Sequence, residues 1–301
     1  MEAFAYAAPR TVAEAVELLA NAQGAARPLA GGTDLIPQLH EGRRTAALVV
    51  DIKRIPELRE VRWDPKAGLT IGAAVTCAQA SRVPEVRQHY PALHTACTLI
   101  GSIMIQHRAT LAGNLANAAP SADGIPSLIV HGAEAIIAGP AGTRRVAVEQ
   151  VCTGPGQTCL APGEFIVALH LPVPPPHTMS HYIRFTPRNE MDIAVVGVGT
   201  AVTLDEATGA CRTVRIALGA VAPTPVRAAA AEEYLAGKPL TDEHLAHAAR
   251  LAVQAARPIS DVRASAEYRL HLVQVLTRRA LAAVRARLNG GTAGTGPAAA
   301  R

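Results

Sequence analysis

Apolar and polar positions change period several times along this chain, and each change marks an element. From Thr11 to Ala20 the apolar residues Val12, Ala15, Val16, Leu18 and Leu19 recur on a helical period, with Thr11 as N-cap and Glu14 three residues later completing a capping box. Arg27 to Ala30 then reads as a short strand running into a Gly31-Gly32 turn, and Ala46 to Ile52 and Leu69 to Val75 as buried strands, with Trp63 to Gly68 as turn material between them. This pattern predicts a small α/β subdomain closed before about residue 76. Helical spacing resumes at Thr76 and again from Pro91 through Met104, and Pro126 to Val130 reads as one further helical turn. Glu134 to Ala138, Arg145 to Val148 and Glu164 to Leu171 read as strands of a second α/β subdomain, which the stiff Pro172–Pro176 run ends.

Beyond the prolines the period becomes two. His181 to Arg188, Ile193 to Leu204 and Cys211 to Val221 form an antiparallel meander, followed by helices over Ala228 to Leu235, Thr241 to Ala256 and Arg263 to Leu288. The predicted class is therefore α+β: a domain of two subdomains over residues 1–176, then a three-stranded antiparallel sheet with helices over 177–288. The Gly/Ala-rich end, 289–301, is predicted to be disordered.

Composition narrows the function. With 301 residues, 49% of them hydrophobic and 18% charged, the chain is long enough for two cores. A net charge of +5 spread along the sequence, with 3% aromatics, lacks the basic and aromatic surface of a nucleic-acid binder. Five cysteines without a CxxC pattern read as reduced, mostly buried thiols. No charged leader followed by an apolar run opens the chain and no apolar stretch is long enough for a membrane span, so the expectation is a cytoplasmic protein. The histidines are scattered, and His94, His107 and His131 read as surface or core residues.

Two stretches carry candidate chemistry. Gln106 to Asp123 (QHRATLAGNLANAAPSAD) is nearly free of charge and rich in small residues, so its backbone can approach a bound group and offer N–H donors. Thr110 and Asn114 add a hydroxyl and an amide, and Asp123, with no other acid near it in the sequence, suits a sugar hydroxyl. Pro28 to Leu35 (PLAGGTDL) forms a second cradle, with Gly31 and Gly32 before Thr33. Two such cradles suggest one long, phosphate-bearing ligand. Gly197 to Val202 (GVGTAV) resembles a dinucleotide motif only superficially, because its glycines lie within a strand pattern. No nucleophile motif, paired carboxylates or metal-ligand cluster accompanies the cradles, so the chemistry belongs to a cofactor.

AGGTDL at 30–35, TLAGNLANAAPSAD at 110–123 and RFTPRNEMDIAVVGVG at 184–199, in that order, resemble the flavin-binding medium subunit of the molybdenum hydroxylases, the group of xanthine dehydrogenase and carbon monoxide dehydrogenase. The resemblance spans roughly residues 1–288 and implies a two-subdomain FAD-binding fold of the PCMH type, FAD held without a covalent bond, and electron transfer to an external acceptor. It implies partners: a large subunit with the molybdenum cofactor and a small subunit with two 2Fe–2S clusters, as a heterotrimer that dimerises. Carried over by position, Pro28, Leu29, Ala30, Gly31, Gly32, Thr33, Asp34 and Leu35 resemble the first FAD loop, with Gly31, Gly32 and Thr33 nearest the pyrophosphate, and Thr110, Leu111, Ala112, Gly113 and Asn114 resemble the second. Asp123 matches an acid near the cofactor's sugar, Ile100 an apolar contact, Ile166 a neighbour of the adenine, and Arg184 a position usually lysine near the flavin end; Asp192 reads as a structural turn residue. Ala112 departs from the family's TIGGN pattern and raises the question whether that backbone needs a positive φ. Two other readings remain: a stand-alone flavin oxidase of the wider fold, and a flavin-free assembly protein.

Overall fold

The computed structural model describes residues 2–290, so of the predicted disordered tail only Asn289 and Gly290 fall within the described residues. The chain starts with β1 (Ala5–Ala7), α1 (Val12–Asn21), β2 (Ala26–Leu29), α2 (Leu35–His40) and β3 (Leu48–Asp51), with β1 and β2 flanking β3 and both parallel to it. Thr11 caps α1 by accepting from the Glu14 N–H, but the Glu14 carboxylate reaches the Arg10 N–H, one residue before the position a capping box would use. The hydroxyl of Tyr6 donates to Asp51 at 2.7 Å and ties β1 to the end of β3.

The first subdomain closes earlier than the sequence pattern predicts. β4 (Val61–Asp64) and β5 (Gly68–Gly72) form a hairpin of the next sheet, so Trp63 and Asp64 end a strand instead of opening a turn. The turn itself is built by the Asp64 carboxylate, which accepts from the N–H groups of Lys66 and Ala67. Six short helices follow: α3 (Cys77–Arg82), α4 (Pro84–His89), α5 (Pro91–Leu99), α6 (Ile103–Gln106), α7 (Leu111–Asn117) and α8 (Gly124–Val130). The helix expected over 91–104 is broken, because Gly101 takes a φ of +58° that ends α5 and turns the chain into α6. Thr110 to Asn114 likewise are not a loop; Thr110 caps α7 and the rest form its first turn.

β6 (Glu134–Gly139), β7 (Gly142–Ala147), the ribbon of β8 (Cys152–Gly154) and β9 (Gln157–Thr158), and β10 (Phe165–Leu171) complete the N-terminal part. The five-stranded sheet runs β4-β5-β10-β6-β7 and is antiparallel throughout, which corrects the expectation of an α/β unit: β4–β5 and β6–β7 are hairpins, and β10 lies antiparallel between them. One core fills both subdomains, with Tyr90, Leu93, Leu111, Leu115, Ile125, Leu128 and Ile137 fully buried.

β11 (Thr178–Phe185), β12 (Val196–Leu204) and β13 (Cys211–Gly219) form the expected meander, but a short fourth strand, β14 (Val226–Arg227), extends it along β13. β11 and β12 stop short of the predicted limits, which leaves 186–195 as a loop. α9 (Ala229–Leu235), α10 (Asp242–Ala252) and α11 (Ala266–Leu288) cover one face of this sheet, with Val273, Leu276, Leu281 and Val284 buried in a second core. α8 packs on the sheet from the N-terminal side. The strand glycines admit it: a Cβ at Gly199 would lie 2.9 Å from the carbonyl oxygen of Pro126, and one at Gly219 3.0 Å from its ring. The second glycine of the GVG sequence in β12 thus belongs to a helix-packing slot. Four of the five cysteines are buried and Cys159 is half-buried, all as free thiols. Among the described residues no helix is long and apolar enough to cross a membrane.

The same joint carries a buried polar relay. Ser180 of β11 accepts from the Ala92 N–H at 3.0 Å and pairs with Nε2 of His131 at 3.1 Å. Burial, with Arg215 nearby, pushes the His131 pKa down to about 3. The unfolded chain therefore takes up a proton here below about pH 6.5 while the folded chain does not, so stability is lost as pH falls from about 6.5 towards 3, by at most about 1.4 kcal/mol per pH unit. Denaturant unfolding of the parent and His131→Gln between pH 7 and pH 5 is expected to show the steeper loss in the parent; equal slopes contradict the buried neutral imidazole.

Candidate functional site

A cavity of about 560 Å³ opens where the two small-residue stretches meet, within the range of small-molecule and cofactor sites. Gly31 makes the meeting possible. A Cβ there would lie 2.0 Å from the carbonyl oxygen of Arg108, so backbone packs directly on backbone between β2's exit and the approach to α7. Gly32 serves the turn instead: its φ is +77°, and a Cβ would press on Leu29 and Ile36.

Each stretch contains the start of a short helix, and these starts supply donors. Among the described residues no acceptor meets the backbone N–H groups of Gly32, Thr33, Asp34 and Leu35 ahead of α2, nor those of Leu111 and Ala112 in α7. Thr110 and Asn114 are partly committed to the fold. The Thr110 oxygen accepts from the Gly113 N–H at 2.9 Å, and the Asn114 amide oxygen accepts from the Gly124 N–H at 3.1 Å, which leaves the hydroxyl proton and the amide NH₂ as donors. Asp34 stands at the N-cap position of α2 without a side-chain capping bond, and burial raises its pKa against the opposing pull of Arg43 and Arg44.

Of the sequence-predicted residues, Pro28 through Leu35, Ile100, Thr110, Ala112, Gly113, Asn114, Asp123 and Ile166 line this one cavity. Leu111 and Arg184 do not. Leu111 points from α7 into the core, and Arg184 lies behind Asp123, donating to its Oδ2 at 2.6 Å. Asp123 is not the solitary carboxylate its sequence position suggests, since the Tyr182 hydroxyl donates to Oδ1 at 2.7 Å. Burial pushes the Asp123 carboxyl upward and these two donors oppose that push. Ala112 has a helical backbone, so the question raised by its departure from glycine is answered: no positive φ occurs there, and its methyl group joins the core.

Further residues complete the wall. Gln38 donates to the side chain of Asn117 at 3.0 Å, clasping α2 to α7. Arg27, Arg44, Thr158, Leu160 and Phe165 also line the cavity, as do Gly101, Ile105 and Met191 to Ala194. The Met191 loop docks through its N–H on the Gly101 carbonyl at 3.1 Å, and Asp192 orders it by accepting from the N–H groups of Arg188 and Ile193. Only the sheet register, which ends β11 and β12 early, brings that loop to the cavity.

The chain's residues suit a ligand with a charged group and apolar parts: two rows of free N–H donors line one space, and Ile52, Ala73, Ile100 and Ile166 give it apolar walls. A dinucleotide fits this arrangement.

Residues 2–174 match the family model described as FAD binding domain in molybdopterin dehydrogenase, and residues 181–284 match the CO dehydrogenase flavoprotein C-terminal domain. The chain is 36% identical over 272 residues to the putative xanthine dehydrogenase FAD-binding subunit of Escherichia coli, covering 90% of this chain and 92% of that protein. It is 34% identical over 285 residues to the carbon monoxide dehydrogenase medium chain of Afipia carboxidovorans, covering 94% and 97%. The structure superposes on a chain of carbon monoxide dehydrogenase from Hydrogenophaga pseudoflava with a TM-score of 0.90 at 32% identity, covering 95% of this chain and 98% of that one.

The geometry separates two substitutions in and near the first cradle. Gly32→Val forces a β-branched residue into a positive φ and is expected to abolish binding of the dinucleotide ligand, tested as FAD, whereas Arg43→Ala, an exposed side chain paired with Glu41, leaves it unchanged. Equal occupancy in titrations of the parent and Gly32→Val would remove the first cradle from the site. Ala112→Gly is expected to lower the stability of the unliganded chain by about 0.5–1 kcal/mol without tightening FAD; tighter binding would mean that the methyl crowds the ligand.

Proposed function

This chain belongs to the FAD-binding subunits of the molybdopterin dehydrogenases, and we propose that the cavity between its two cradles holds one FAD without a covalent bond. It is the flavoprotein subunit of a molybdenum hydroxylase, an oxidoreductase of the xanthine and carbon monoxide dehydrogenase group. The observation that carries the assignment of the site is the pair of donor rows, Gly32 to Leu35 and Leu111 to Ala112, converging on one cavity of about 560 Å³. Among the described residues no histidine lines that cavity, which favours noncovalent attachment over a histidyl link.

In this reading the backbone N–H groups neutralise the pyrophosphate, with Thr33 and Thr110 supplying hydroxyls beside it. Asp123 meets a sugar hydroxyl, Ile166 borders the adenine, and Ile100, with the Met191 to Ala194 loop, closes the flavin end. Arg184 acts on that end through Asp123, since its guanidinium donates to that carboxylate from outside the wall. When bound, the flavin supplies the redox chemistry, taking electrons from iron–sulfur clusters and giving them to an external acceptor. The protein contributes binding, orientation and exclusion of water.

The partners are a large subunit that carries the molybdenum cofactor and a small subunit that carries the 2Fe–2S clusters, assembled as a heterotrimer that dimerises, in the cytoplasm. Exposed apolar side chains support a partner-covered rim at the flavin end: Ile103 and Met104 project beside Ile105, and Met191 and Ile193 lie on the loop that closes the cavity.

The isolated chain, loaded with FAD, is expected to be reduced by dithionite and reoxidised by artificial acceptors without oxidising an organic substrate. Dehydrogenation is expected only once the molybdenum and iron–sulfur subunits are added, and acid is expected to release all the flavin. Steady substrate turnover by this polypeptide alone would replace the reading with a stand-alone oxidase, and flavin retained on denatured protein would contradict noncovalent binding.

A further inference from the structure

Asp123 immediately precedes α8, where an aspartate ordinarily caps the helix, yet it makes no capping bond. Asn114 takes the Gly124 N–H instead, and the Asp123 carboxylate turns towards β11 of the C-terminal domain. There Tyr182, only 2% exposed, donates to Oδ1, and Arg184, two residues along the same strand face, donates to Oδ2. The position of the Tyr182 hydroxyl depends in turn on β12. A Cβ at Gly197 would stand 2.6 Å from Oη and 3.4 Å from the adjoining ring carbon, so only glycine leaves room for the hydroxyl, while a phenyl ring without it would be accommodated.

We propose that Tyr182, given room by Gly197, is the positioning residue that orients the Asp123 carboxylate on the cavity wall, so that the C-terminal domain sets FAD affinity through a side chain that never reaches the ligand. The proposal rests on FAD occupying the cavity. It gives the first glycine of the GVG sequence a role in the site and separates it from Gly199, which makes room for α8.

Two double-mutant cycles on the full chain test it, with FAD affinity read by flavin titration and apoprotein melting followed in parallel. Tyr182→Phe is expected to weaken FAD about tenfold, the affinity equivalent of one charge-assisted hydrogen bond. In the Asp123→Ala background the same change is expected to have no further effect on affinity, because Tyr182 acts through that carboxylate. Gly197→Ala is expected to weaken FAD by itself and to add nothing in the Tyr182→Phe background, where the hydroxyl it collides with is gone. A general loosening of the domain joint would instead lower affinity additively with Asp123→Ala. Additive losses, or parental affinity in Tyr182→Phe, would overturn the proposal; should Gly197→Ala not fold, the Asp123 cycle decides alone. A parent chain that binds no FAD would refute the functional reading itself, an outcome distinct from a parent that binds while Tyr182→Phe binds equally well.

Discussion

The backbone contact between Gly31 and Arg108 is the constraint on which the site depends. Because no side chain intervenes, the exit from β2 and the approach to α7 close to a distance that a Cβ would forbid, and two helix starts about seventy-five residues apart in the chain come to face one cavity. Neither start is a strong anion site alone, since α2 and α7 are short. Their combined N–H groups, held rigidly by the Gln38 to Asn117 clasp, supply what one long helix supplies in other phosphate sites.

A second dependence runs through α8. This helix is buried along its whole length and packs on β12 and β13 of the C-terminal sheet while Asp123 at its start faces the cavity. Small residues recur at the contact for the same reason as at Gly31: Gly199 and Gly219 let Pro126 approach the sheet. The His131 to Ser180 pair and the Tyr182 to Asp123 bond then satisfy polar groups that the close packing cuts off from water, as buried donors and acceptors require. The C-terminal domain is therefore part of the wall of the site as well as a neighbour of it.

Much of this was legible in the sequence because it rests on local chemistry. The cradles were visible from glycine and alanine density around Thr33 and Thr110, the meander from its period of two, and the last helix from leucines and valines between Leu270 and Leu288. What was missed depends on pairing between distant segments. The β4–β5 hairpin is local, but nothing local tells β5 to pair with β10, about a hundred residues on, and so the sequence pattern places the boundary of the first subdomain too late. The α7 segment, LAGNLAN, has weak helical periodicity and two asparagines, so it reads as a loop until the Thr110 cap and core packing at Leu111 and Leu115 are seen. Gln38 becomes a wall residue only when α2 packs beside α7, and the Met191 loop only when the register of β11 and β12 leaves it at the cavity, while Arg184 falls out of the wall because its partner Asp123 stands between it and the cavity.

The central claim, that one FAD is held by both helix starts at once, is tested most directly by amide hydrogen exchange of the full chain with and without saturating FAD. The account predicts slowed exchange in two separate segments together, at Gly32 to Leu35 and at Leu111 to Ala112. Protection confined to one of them, or to neither while FAD is demonstrably bound, would contradict it.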